Sequence, residues 1–172
     1  MAANTLTARL TLLVTSLLQN SVGAASANVS LEASPTVAFA NGTDVNEADL
    51  LFSNTVTIAA SETLDYDLAG ASMLDIFGAA VAFARIRAIV IIASSANVND
   101  VVLGGAAAAQ FFGPFGAAGD TIAVRPGGLL VLAAPDAVGW AVTPVTADVL
   151  RVANGGAGTG VTFDIVIIGA SA

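Results

Sequence analysis

Apolar and polar positions alternate along much of this chain with a period of two, and short apolar runs are cut by Pro, Gly and Asn. That is the pattern of β-strands joined by turns. It is clearest in the last third, RPGGLLVLAAPDAVGWAVTPVTADVLRVANGGAGTGVTFDIVIIG from Arg125 to Gly169. Pro126-Gly127-Gly128 fits a tight turn, because Pro fixes φ at one central position and Gly supplies a positive φ at the next. Strands are expected over Leu129–Ala133, Val138–Thr143, Val149–Ala153 and Val161–Ile168, broken at Pro135-Asp136 and at Pro144. The glycine-rich run Asn154–Gly160 imitates a phosphate-cradling loop. It leads into the β-branched VTFDIVII where such a loop needs a helix, and the chain has no Lys, so a hairpin is expected.

Upstream, Thr5–Val14 places Leu6, Ala8, Leu10, Leu12 and Val14 on one face, and Leu6, Leu10, Leu13, Val14, Leu17 and Leu18 also fit a helical stripe. The repeated Thr favours the strand. Asn20–Pro35, rich in Ser, Ala and Asn, reads as a loop with at most a short strand near Val29–Glu32. Thr36–Ala40 is a strand ended by the turn dipeptide Asn41-Gly42, and Thr43–Asp49 is an acidic loop lacking the Gly and distal Glu of a calcium loop. Leu51–Ala59 and Glu62–Leu68 read as a strand pair, the second with Leu64, Tyr66 and Leu68 on one face and Thr63, Asp65 and Asp67 on the other. SMLDIF, at 72–77, reads as a short turn or helical piece. Arg85–Ala93 is apolar on both faces, as a strand inside a sandwich or under another subunit would be. Val98–Leu103 and Thr121–Arg125 are further strands. Between them Gly104–Gly119 forms a Gly/Ala loop carrying Phe111, Phe112 and Phe115, expected either to fold over the core or to dock on a neighbour.

About ten short strands with at most one short helix predict an all-β sandwich, and a jelly roll is the natural two-sheet version at this size. With 172 residues, one domain is expected over 1–172, with residues 1–34 as an N-terminal arm or edge strand exchanging with neighbours. No fixed-period repeat is visible.

Composition narrows the function. The chain is 56% hydrophobic and 10% charged, with a mean hydropathy of +0.84. That is more apolar surface than one small core buries, which predicts a homo-oligomer. The runs Leu10–Leu31 and Val101–Gly119 are too polar or too glycine-rich for a spanning helix, so no membrane partner is expected. Arg9, LTLLVTSLL and Ala24-Ala25-Ser26-Ala27 imitate a secretory signal; with Met1 present the stretch is expected to be structural. The net charge of −8, with all five positive charges on Arg, disfavours nucleic acid. Without His, Cys or Lys the chain lacks the usual nucleophile dyads, imidazole-ligated metals, Schiff bases and the P-loop, so neither an enzyme, a cofactor nor a metal is expected. A hydrolase would have to use Glu62, Asp65 and Asp67, the two aspartates about 7 Å apart on one strand face.

NTLTARLT, ETLDYDLAG at 62–70, FARIRAIVI at 83–91, VVLGGAA at 101–107, RPGGLLVLAAPDAVGWAVT at 125–143 and DVLRVANGGAGTGVTFDIVIIGASA at the C-terminal end resemble small structural proteins of tailed bacteriophage particles. The resemblance spans most of the chain and departs around Gln19–Pro35. It implies a virion component on the particle exterior, made in the host bacterial cytoplasm: a capsid decoration, cement or vertex-spike protein. Its partners would be the major capsid protein and copies of itself, as a trimer or pentamer. Candidate contact residues are Phe111, Phe112 and Phe115, and then Leu6, Leu10 and Leu13 of the N-terminal stretch. The rival is a tail or baseplate adhesin for host glycan, for which Trp140 and Tyr66 are the only Trp and Tyr available.

Overall fold

A computed structural model describes residues 5–22, 25–70, 72–106 and 108–172. The strands in chain order are β1 (Ala8–Thr11), β2 (Val14–Val22), β3 (Ala25–Ala33), β4 (Thr36–Phe39), β5 (Leu50–Ile58), β6 (Thr63–Asp67), β7 (Met73–Leu74) and β8 (Ala80–Val81). They continue as β9 (Arg85–Ala93), β10 (Val101–Gly104), β11 (Thr121–Val124), β12 (Leu129–Ala133), β13 (Trp140–Ala141), β14 (Val149–Asn154) and β15 (Val161–Ala170). No helix occurs among the described residues. SMLDIF, open to a helical reading in sequence, enters β7 and then turns, because the Asp75 carboxylate accepts from the Phe77 and Ala79 N–H groups, both at 2.8 Å.

Two sheets face each other across one core. One has the order β12-β9-β15-β5, with β13 also on β9; the other has the order β11-β10-β14-β6, and every pairing is antiparallel. Ile89, Ile91, Phe163, Ile165 and Ile167 of the first sheet meet Tyr66, Val101, Leu103, Leu150 and Val152 of the second. Chain neighbours lie opposite one another: β5 crosses to β6, β9 to β10, β11 to β12 and β14 to β15. Leu51–Ala59 and Glu62–Leu68 are therefore not paired with each other as expected. Nor is Asn154–Gly160 a hairpin, since it also joins the two sheets. Buried Asn154 ties that corner, its side-chain amide donating to Thr159 O at 2.8 Å and Ala59 O at 3.0 Å.

The outer face of the β12-β9-β15-β5 sheet changes character along its length. At one end Thr57 hydrogen-bonds Thr162 (2.8 Å) and Thr55 donates to Asp164 (2.5 Å) in water. At the other end Leu51, Ala88, Val166 and Ile168 are apolar and need cover. The switch is sharpened by a bulge: Ile168 faces Ala88 and Gly169 faces Ile86, so Arg87 is the extra residue. A side chain at Gly169 would collide with the Arg85 carbonyl and the Phe83 ring, which fixes glycine there.

Cover comes from the N-terminal stretch. β1 pairs with β4, and Leu6, Ala8, Leu10, Val37 and Phe39 pack on that outer face. This strand matches the alternation read in sequence and excludes the helical stripe. The ribbon crosses the sheet from edge to edge. Leu6 lines a cavity of about 250 Å³ with Leu50 and Leu51 of β5, while Leu10 and Leu12 line a groove of about 210 Å³ with Leu129, Val131 and Ala133 of β12. Thr11 faces Thr36 and Val14 faces Ala33, so β2 and β3 continue β1 and β4 in one register. Between them Leu12 donates to Pro35 O at 3.2 Å, and no return bond forms because proline has no N–H. Asn20–Pro35, expected to be a loop, thus supplies the strand β3.

Ile165→Ala, at the fully buried centre, is expected to cost about 2–5 kcal/mol. Val98→Ala, 73% exposed, is expected to stay within about 0.5 kcal/mol. Urea midpoints at constant slope check both.

Candidate functional site

The phenylalanine loop divides. Phe111 is fully buried, and its N–H donates to Val149 O at 2.8 Å, so the residue proposed first for a contact belongs to the core. Phe115 packs partly buried against the same core, and a side chain at Gly104 would meet its ring at 3.3 Å. Only Phe112, 44% exposed, faces outward. The loop is held shut by buried Gln110, whose carbonyl accepts from Gly119 N at 2.7 Å, and by Asp120, which accepts from Ala117 N at 2.7 Å. Phe111 and Phe115 thus fold over the core, while Phe112 stays open.

The N-terminal candidates divide as well. Leu6 and Leu10 face the body, whereas Leu13 is 61% exposed. Beyond them every described side chain from Thr11 to Gln19 and from Asn28 to Thr36 is exposed. Register sorts these side chains into two faces, since directly opposed residues share a side. One face carries Val14 opposite Ala33, Ser16 opposite Leu31 and Leu18 opposite Val29; the other carries Thr15 opposite Glu32, Leu17 opposite Ser30 and Gln19 opposite Asn28. The arm is an amphipathic ribbon with its apolar face open. Sequence reading missed this because two-thirds of β3 is Ser, Asn and Ala, although Val29 and Leu31 do alternate with polar neighbours.

A second apolar exposure went unnoticed in the sequence. Leu74, Ile76 and Phe77 project at the β7–β8 turn, Ile76 and Phe77 more than 70% exposed. The two bonds to Asp75 preset that turn, so little ordering entropy is lost if it docks.

Two of the three candidate carboxylates, Asp65 and Asp67, are occupied by structure. Asp65 holds Arg151 through two bonds of 2.7 Å, which raises the Arg151 pKa, and Asp67 accepts from Gly70 N at 2.7 Å. Glu47 accepts from Asp44 N at 2.9 Å inside the acidic loop. Among the described residues no group of three or more acidic side chains could hold a metal ion. Tyr66 lies in the core against Phe52, ring centroids 5.6 Å apart, and burial pushes its pKa up to about 12. It is not an exposed platform for a sugar. No helix among the described residues is long and apolar enough to cross a membrane.

Arg87, also unremarked in the sequence, is fully buried at the bulge. It donates to Thr43 O (2.9 Å), Asp44 O (3.0 Å) and Ala137 O (3.2 Å), while Nε and Nη1 have no partner. Desolvation, and then the charge of Arg85, pull its pKa down; Asp136, Asp44 and Glu47 oppose this. Its task is to pin two loops over the sheet end.

No family model, curated protein or solved structure matches this chain.

Phe111→Ser is expected to cost about 3–5 kcal/mol and Phe112→Ser less than about 1 kcal/mol, measured by urea unfolding. A pH dependence follows from Asp136, whose pKa is lowered by backbone hydrogen bonds from Gly139 and Val138. A depressed carboxylate stabilises above its unfolded value, and that contribution is lost as pH falls through the lower folded value. Hydrogen exchange at Val138 and Gly139, with intrinsic rates divided out, should show constant protection from pH 7 to about 5. Protection should fall only below about pH 4, and Asp136→Ala should abolish it at every pH.

Proposed function

We propose that this protein is a non-catalytic structural component of a tailed-phage particle, decorating or cementing the capsid from outside by bridging neighbouring capsid subunits. The carrying observation is that its open surface is organised for contact: an amphipathic arm at one place and a preset apolar turn, Leu74–Phe77, at another. A bridging protein needs two such faces, one toward its own kind and one toward the shell. The absence of His, Lys and Cys, and the tying of Asp65 and Asp67 into structural bonds, support a role without catalysis.

We read the strand order, a four-stranded and a five-stranded sheet in which each strand has a chain neighbour in the opposite sheet, as that of a jelly roll. Viral shells and lectins both use that architecture, so it supports the reading by fold analogy alone. The adhesin alternative is weakened by the burial of Tyr66. The negative surface fits a partner that is protein and neither nucleic acid nor membrane. Repetition around a symmetric shell turns modest individual contacts into firm attachment.

Cryo-EM of the purified particle tests this. Expected is β-rich density of this 16.9 kDa chain on the capsid exterior, bridging subunits. Density at the tail tip alone overturns the reading and makes host recognition the function. In the same system Ile76→Ser with Phe77→Ser is expected to weaken attachment at least about tenfold, since a few buried apolar anchors carry most of a contact's energy. Both side chains are exposed, so the unfolding midpoint of the isolated protein should hold.

A further inference from the structure

The face of the β1–β4 ribbon that covers the sheet does not stop at the sheet's edge. Ala8 opposite Phe39 and Leu10 opposite Val37 lie on the body; the same face continues as Leu12 opposite Pro35, Val14 opposite Ala33, Ser16 opposite Leu31 and Leu18 opposite Val29. The distal half is built like a cover for an apolar sheet face, with none beneath it. A two-stranded ribbon alone is marginal in water, and seven of the eighteen large apolar side chains exposed among the described residues belong to residues 12–31.

Such a face exists on every copy. Where the sheet's outer side runs out from under its own ribbon, Ile92, Leu129 and Val131 are 46%, 53% and 39% exposed, in register across β9 and β12. We propose that the β2–β3 arm of one copy lies with its apolar face on the Ile92–Leu129–Val131 strip of a second copy. The inference deepens the reading above, on which its place in a particle rests.

Two features favour a copy of this chain as the occupant. The first is charge. In a chain of net −8, like-charge repulsion resists association wherever carboxylates face one another. The described residues of the arm's apolar face, the three strip residues and the neighbouring groove carry no charge, and the carboxylate that borders the strip, Asp164 opposite Ile92, is engaged by the Thr55 hydroxyl. The second is area. Nine rungs of ribbon are about 30 Å long and about 10 Å wide, so even a fully docked arm removes at most about 600 Å² in total from water, counting both surfaces. That alone is the size of an adventitious contact. Reciprocal exchange doubles it to about 1,200 Å², where specific interfaces begin. The arm therefore holds only in a closed assembly in which each copy both gives and receives.

The full-length protein, free of particles, tests this by light scattering during size-exclusion chromatography at about 10 µM. A closed oligomer is expected for the unaltered chain. Leu18→Asp with Leu31→Asp, and separately Ile92→Asp with Leu129→Asp, should each raise the dissociation constant at least about a hundredfold and give monomer with an unchanged circular-dichroism spectrum. The chain has no cysteine, so single Ser16→Cys and Val131→Cys variants can be mixed and oxidised, and a mixed disulfide between them should dominate. Monomer for the unaltered chain, full assembly of the strip variant, or disulfides joining Ser16→Cys chains only to one another would each overturn the proposal. Arm exchange in solution without attachment to any particle would instead fail the functional reading alone.

Discussion

The structure depends on a demand made by two strands. β9 and β15 pair at the centre of their sheet, and at one end both are apolar on both sides. The inner side is satisfied by the opposing sheet, where Ile89, Ile91, Ile165 and Ile167 are excluded from water. The outer side, Ala88, Val166 and Ile168, must be covered by something that is not part of the sandwich. The N-terminal ribbon answers that demand, and the bulge at Arg87 marks where it begins. The extra residue turns Ile86 inward and leaves Arg87 and Ala88 beneath the covering segments. Arg87 is then held by carbonyls of the 43–44 turn and of the 134–139 loop, so an unpaired buried charge organises the backbone around it.

Strand identity was legible because the side-chain period is fixed at two. β6 shows Leu64, Tyr66 and Leu68 inward and Asp65 and Asp67 outward, as its alternation requires. β9 was marked as doubly covered by its unbroken apolar run. Partnership was much less legible. A turn of a few residues serves equally for a hairpin within one sheet and for a crossing between two, and nothing in Ala59–Glu62 or Asn154–Gly160 announces which. The outcome is set by long-range burial: β5 and β15 each have an inner face that matches the opposite sheet, and the corner is closed by Asn154 across distant segments. The N-terminal arm was expected, but most of its second strand was read as a loop, for another reason. Its backbone ladder satisfies itself, so strands form from Ser, Asn and Ala without help from a core.

The sequence has no His, Cys or Lys, and in the structure many of its carboxylates are engaged by the backbone. Asp67, Asp75, Asp120, Asp136 and Asp148 each accept a backbone N–H within a few residues, closing a turn. Asp49 reaches across the chain to Ser171, accepting from its N–H at 2.8 Å. In a chain with few charges most acids serve the backbone, because tight turns between many short strands leave N–H groups that no ladder reaches.

Charged and open apolar surfaces compete for space in so apolar a chain, and here they are largely separated. Most acids lie at turns and on the outward face of β6, where Asp65 pairs with Arg151, while the arm's described apolar face carries none and Asp164 borders the strip beside β12. A charge added to either apolar face would be desolvated on association without a partner, so that surface accepts only another apolar surface. The same rule limits what the arm accepts. A partner rich in Lys or Glu would lose solvation without compensation, whereas the apolar strip beside the chain's own ribbon would not. Continuity of one ribbon face from an internal contact to an open surface means that the proposed recognition between copies would be an extension of folding.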